Sequence, residues 1–171
     1  MINKRKLGKT DLFVSEIGLG GYQLGGLSRI NDIPTAFGDM DEKTAITIIN
    51  TAMELGINTF DTADFYSLGK SEIRLGKAVK KYRNQVNLFT KAGAVASYSD
   101  IVSDTAVHID LSYHHLMASV DRSLKRLGID FLDVFQIFGQ TIYILEKYKI
   151  LFNSFLIYYP KIFLKHLVLI I

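Results

Sequence analysis

The chain has 171 residues, a formal net charge of +3 and no cysteine. That length suffices for one domain with a core of its own. The small charge, scattered rather than striped, argues against a nucleic-acid partner, and the missing cysteines exclude a disulfide framework or a thiolate metal site. The start, Met-Ile-Asn-Lys-Arg-Lys-Leu-Gly, is basic but lacks the apolar run of a secretory signal, so a cytoplasmic protein is expected.

In chain order, residues 5–16 read as a short hairpin with Gly8-Lys9-Thr10-Asp11 as its turn. Residues 14–19 read as a first buried strand, ended by Gly20-Gly21-Tyr22-Gln23-Leu24-Gly25-Gly26. That run is either a weak phosphate-loop candidate, lacking the spacing and lysine of a P-loop, or a flexible strand-to-helix loop. Residues 27–40 look like a polar, loop-like insertion. From Asp41, a plausible N-cap, Ala45, Ile48, Ile49, Ala52 and Met53 recur on one helical face, and Gly56 closes the helix. A second strand spans 57–61. A second helix spans 71–81 with Ile73, Leu75 and Val79 inward, and a third strand spans 86–90, with Lys91 ending it. A longer polar connection over 93–111 leads to a third helix, 112–127, lined by Leu116, Val120, Leu124 and Leu127. Gly128 closes that helix before a fourth strand over 131–138. Strict strand–helix alternation predicts a parallel α/β fold with right-handed crossovers.

Chemistry concentrates between Gly56 and Lys91. Asp61, Tyr66 and Lys91 are the groups needed to make a tyrosine hydroxyl donate a proton near neutral pH. A free tyrosine, with a pKa of about 10, is too weak an acid there. A neighbouring ammonium lowers that value, and a carboxylate holds the ammonium in place. In parallel α/β folds, chemistry gathers at the carboxyl ends of strands, where all three groups fall. The competing readings are structural: a helix cap or surface acid for Asp61 and an amphipathic rim tyrosine for Tyr66.

Asp-Thr-Ala-Asp-Phe-Tyr (61–66), Gly69-Lys70-Ser71-Glu72 and Thr90-Lys91 resemble the aldo-keto reductases. The opening Arg5-Lys6-Leu7-Gly8-Lys9-Thr10, the run 14–20 and Leu127-Gly128-Ile129-Asp130-Phe131-Leu132-Asp133 resemble the same family, in the same order. The resemblance covers residues 1 to about 139. It implies the N-terminal half of a (β/α)8 TIM barrel with an N-terminal β-hairpin; a whole barrel takes about 250 residues. It also implies NADP(H)-dependent hydride transfer to or from a small aldehyde, ketone or sugar hydroxyl. In that picture Tyr66 donates the proton, Lys91 lowers its pKa and Asp61 orients Lys91, while Gly21 and Tyr22, with Asp61, flank the nicotinamide. A histidine normally ends the family's fourth strand; here Phe138 follows Gln136-Ile137, and phenylalanine cannot hydrogen-bond a carbonyl oxygen.

After Gly139 the chain changes character. All 13 glycines lie at or before that residue, and Ile, Leu, Phe, Tyr and Lys supply 24 of the 31 residues over 141–171. The segment 140–171 therefore reads as an off-pattern apolar tail, either frame-shifted, amphipathic or, less consistently, a membrane anchor. Glu146, Lys147, Lys149, Lys161 and Lys165 interrupt every apolar run short of the roughly 20 residues a span needs. Most of the family's cofactor contacts come from the second half of the barrel, so an inactive remnant or a non-enzymatic binding protein is the alternative expectation. Open sheet edges would give such a half barrel a route to self-association or aggregation. His108, His114 and His115 with Asp110 suggest a metal site only superficially, because adjacent histidines on a helix point about 100° apart.

Overall fold

In the computed structural model, which describes residues 2–30, 33–96, 107–138 and 163–170, the chain opens with the expected hairpin. Strands β1 (Lys4–Lys6) and β2 (Phe13–Ser15) pair antiparallel, Lys4 opposite Ser15. The Thr10 amide and hydroxyl both donate to Leu7 O, at 3.0 and 2.6 Å, and close the turn. The expected first strand over 14–19 shrinks to β3 (Leu19–Gly20). Ser15 stays with the hairpin because its N–H donates to Asn58 Oδ1 at 2.7 Å instead of to a neighbouring strand. Asn58 and Asn87 each donate to Phe13 O, at 2.9 and 2.8 Å, tying the hairpin under the sheet.

Within the segment expected as a loop-like insertion, β4 (Ser28–Ile30) and β5 (Ile33–Ala36) form a second small hairpin. Its mixed composition hides a buried side made of Ile30, Thr35 and Ala36. Helix α1 (Glu42–Glu54) starts where Asp41 accepts the Thr44 N–H at 2.6 Å, a standard N-cap. It buries Ala45, Ile49 and Ala52. The chain then turns through Gly56, at φ 95°, into β6 (Thr59–Asp61).

Helix α2 (Lys70–Val79) buries Ser71, Glu72, Leu75, Gly76 and Val79. Positions 72, 75, 76 and 79 make one i, i+3, i+4, i+7 stripe, which leaves Ile73 exposed rather than inward as expected. Gly76 sets that face, because an added Cβ would overlap the Leu127 backbone of α3 (Tyr113–Leu127). Ser112 caps α3 by accepting the His115 N–H at 3.3 Å, and Leu116, Val120 and Leu127 are buried along it. Between the helices, β7 (Asn87–Ala92) runs one residue past Lys91. The connection that follows carries a third hairpin, β8 (Ala94–Ala96) with β9 (Val107–Ile109); residues 97–106 lie outside the described part. β10 (Phe131–Phe138) has the expected bounds.

The main sheet is parallel, in the order β11 (Phe163–Ile170), β10, β7, β6, β3. Each of β3, β6, β7 and β10 lies beside its successor, α1 packs on α2 and α2 on α3. Strands in sequence order under a single layer of helices are the arrangement of a barrel wall rather than of a doubly wound sheet. Phe60, Leu88 and Phe135 from the strands meet Ile49, Leu75 and Val120 from the helices in one core.

β11 falls inside the segment read as an off-pattern apolar tail, and pairs parallel to β10 with Phe138 opposite Ile170. Its residues are mostly apolar, as suits a parallel strand, but Lys165 and His166 interrupt them without a regular alternation by which to find it. Residues 139–162 of the expected tail lie outside the described part.

Candidate active site

Asp61 ends β6, Lys91 lies near the end of β7, and paired strands bring them side by side, with Asp61 opposite Phe89 in register. Lys91 is 5% exposed, so its ammonium must be paired inside the protein. It donates to Asp61 Oδ2 at 2.6 Å and to Thr62 O at 2.8 Å. The segment after β6 returns Tyr66 over the same place, with Lys91 Nζ 5.0 Å from the centre of its ring. The three residues singled out in the sequence are thus brought together.

The electrostatics of Tyr66 differ from the expectation that Lys91 lowers its pKa. Burial, then Asp61, then Tyr22 push the phenol up to about 12. Burial is the larger cause, and Asp61, paired with the ammonium at 2.6 Å, adds a charge of the opposite sign beside the phenol.

Tyr22 meets the Tyr66 ring edge to face at 4.9 Å and Phe37 in the same manner at 5.1 Å. Gly21 lies deeper. Its N–H donates to Asp61 O at 2.7 Å, its carbonyl accepts from Ser71 Oγ at 2.6 Å, and an added Cβ would lie 2.8 Å from that oxygen. Leu24 N and Gly26 N are likewise engaged by Gly21 O and Gln23 O. The glycine-rich run therefore folds on itself and against α2, which accounts for Gly21, Gly25 and Gly26 without a phosphate.

A cavity of about 420 Å³ opens beside these groups, its wall including Tyr22, Asp64, Tyr66, Lys91, Val107 and Phe138. That volume is within the range of small-molecule sites. The wall is mostly aromatic and aliphatic. Phe138, at the end of β10, takes the place where the resemblance implies a histidine. A larger cleft, about 670 Å³, opens at the opposite ends of the strands between Asn50, Lys77 and Lys81, away from this chemistry.

Sequence reasoning missed a second polar cluster. Glu72 is fully buried on α2; it accepts from Thr90 Oγ1 at 2.7 Å and from Arg126 Nη1 at 3.2 Å. Arg126 also donates to Asp64 O at 3.3 Å. The Asp64 carboxyl is pushed up to about 6, first by burial and then by Glu72, against the pull of Ser119, Arg126 and Arg122. A signal existed: a glutamate on the buried stripe of an amphipathic helix needs a partner. The histidines lie elsewhere. His108 and His114 are exposed, and His115 Nδ1 is 3.9 Å from Asp110 Oδ2.

A parallel half sheet under one layer of helices, with a lysine, an aspartate and a tyrosine gathered at its strand ends, defines the class, an α/β protein of the barrel type. A model of the Aldo/keto reductase family matches residues 16–141, and the chain belongs to that family. It is 37% identical over 146 residues to the NADH-specific methylglyoxal reductase of Escherichia coli, covering 82% of this chain and 43% of that protein. It is 36% identical over 141 residues to the uncharacterized oxidoreductase YqkF of Bacillus subtilis, covering 82% and 40%. Among solved structures it is similar to a Bacillus halodurans aldo-keto reductase in its holo form, with a TM-score of 0.73 and 30% identity. That superposition covers 99% of this chain and 50% of the other. The chain thus spans about half, or somewhat less, of the length of the relatives it matches. Among the described residues, no helix is long and apolar enough to cross a membrane.

Proposed function

We propose that this chain carries the proton-handling part of an aldo-keto reductase site, serving hydride transfer between NADP(H) and a small aldehyde, ketone or sugar hydroxyl. The observation that carries the reading is the hydrogen-bonded Lys91–Asp61 pair beneath the Tyr66 ring. Tyr66 O–H would donate to the carbonyl oxygen, Lys91 would stabilise the phenolate left behind, and Asp61 would hold Lys91 in place. Tyr22 and the backbone at Gly21 would border the nicotinamide end of the cofactor, which supplies the hydride when bound. The residues fit that end: the cavity is large enough for a flat ring or a small carbonyl, and its wall is apolar. They do not fit the phosphates, because Lys91 is the only cation on that wall among the described residues and it is engaged by Asp61.

A second reading, a non-catalytic binding protein, is favoured by Phe138 on the cavity wall and by a phenol pushed up to about 12. The test is reduction of small aldehydes followed by loss of NADPH or NADH absorbance. On the first reading, Tyr66→Phe abolishes turnover while nucleotide binding, read by fluorescence, persists. Nucleotide binding without turnover in the parent chain favours the second.

A further inference from the structure

Tyr66 rides on a segment that its own backbone resists. Ser67 and Leu68, with φ of 49° and 56°, occupy the left-handed region that L side chains avoid, and Gly69 follows at 88°. Such conformations persist only where surrounding contacts over-determine them. From inside, the Ser67 hydroxyl donates to Gly26 O at 2.7 Å. From outside, the Asp64 N–H donates to Lys91 O at 3.0 Å, and α3 contributes Ser119 at the Asp64 carboxyl and Arg126 at both ends of the segment. Arg126 donates to Asp64 O at the start of the segment. Its guanidinium also packs on Gly69 at the end, where an added Cβ would overlap Arg126 Nε and Cζ.

We propose that Arg126 is a positioning residue for Tyr66, gripping both ends of the 64–69 segment and so fixing where the phenol stands over Lys91. The proposal rests on the reading that Tyr66 handles the proton. The charge of Arg126 is balanced by Glu72, fully buried, whose other oxygen accepts from Thr90, the residue before Lys91. One network therefore joins the segment of Tyr66, the strand of Lys91 and two helices. A buried ion pair is a poor device for stability alone, since apolar residues of similar volume often do as well. This one lies where it registers two elements of the site against each other.

The test compares the full chain with Arg126→Lys and with the double variant Glu72→Gln/Arg126→Met, which removes both partners of the ion pair together. Two readouts are taken: steady-state kinetics, and the NMR line of ring-labelled tyrosine at Tyr66, assigned with Tyr66→Phe. Displacing a reacting group by about 1 Å can cost on the order of 100-fold in rate. The double variant is expected to lose about ten- to 100-fold in kcat with KM little changed, while its Tyr66 line shifts or splits. Arg126→Lys recovers part of both. A folded double variant with parental kcat and an unmoved line overturns the proposal. Should the double variant not fold, Arg126→Lys decides, with an unmoved line and parental kcat again overturning it. If the parent chain shows no turnover, the functional reading fails separately, and the Tyr66 line alone decides the positioning.

Discussion

Asp64→Asn tests the electrostatics of the tyrosine segment most directly. The carboxyl of Asp64 lies against α2 and α3, and burial and Glu72 together hold it at about 6 rather than 3.8. Between these two values the folded chain keeps a proton that the unfolded chain has released. Stability therefore falls as pH rises through that window, and the cost is complete above it. A shift of about two units corresponds to about 3 kcal/mol as an upper bound. Asparagine keeps the shape and has no charge to desolvate. We expect the variant to gain up to about 3 kcal/mol at pH 8 and almost nothing at pH 4. For a domain of this size that is a rise in Tm of about 5–10 °C at the higher pH. Thermal melts followed by circular dichroism from pH 4 to 8 measure it. An equal change at both ends, or a loss at pH 8, would refute the assignment of the buried charge.

Four other outcomes follow from the same geometry. Asp61→Asn removes a group that raises the phenol, so the Tyr66 titration, read from tyrosinate absorbance against Tyr66→Phe, should move down from about 12; an unmoved titration counts against the pairing. Gly76→Ala forces a Cβ into the Leu127 backbone and should cost at least about 1–3 kcal/mol in denaturant unfolding. Gly20→Ala, with nothing within 4 Å of its Cβ, serves as the control, and equal losses would refute the close helix packing. Arg83→Met removes the guanidinium 2.8 Å from buried Asp133 and should cost about 3–5 kcal/mol, partly recovered by adding Asp133→Asn. Phe138→His supplies the hydrogen-bond donor that the cavity wall lacks at that place and should raise carbonyl turnover; lower turnover with normal folding would mean that the aromatic wall serves the substrate.

Elements with strong periodicity or strong punctuation were legible in the sequence. Asp41 caps the helix it was expected to cap, the third helix lies within the expected 112–127, and β10 runs over the expected residues. The failures have physical causes. Ile73 was placed inward because aliphatic spacing was read without Gly76, whose missing Cβ sets the contact face. β11 went unseen because a mostly apolar run broken by Lys165 and His166 shows no strand alternation and fits several structures equally well. The meeting of Asp61, Tyr66 and Lys91 could be anticipated because strand ends in a parallel sheet converge. The direction of the Tyr66 shift could not, since it depends first on how deeply the phenol is buried and then on how near Asp61 stands to it. Arg126 escaped notice for a similar reason: nothing local marks an arginine at the end of a helix as the partner of residues 62 and 54 positions away.

The two ends of the sheet treat their buried polar groups differently. At the amino ends, Asn58 and Asn87 are tied to the hairpin, and Asp133 holds both Arg83 and the Leu88 N–H, with Arg83 Nε the one buried donor there left without an acceptor among the described residues. At the carboxyl ends, Asp61 Oδ1, Asp64 Oδ1 and Gln136 Oε1 are buried acceptors without a donor, and Gln136 lies opposite Lys91 in register. Unpaired buried acceptors cost stability, and native folds keep few of them. Three collected around one lysine, beside the cavity, weaken the end of the sheet where chemistry is expected. The opposite end, where the Asn and Arg–Asp networks bind hairpin to strands, holds the fold together. That division predicts where substitutions separate: losses at the amino ends should appear in melting curves, and losses at the carboxyl ends in the titration and position of Tyr66.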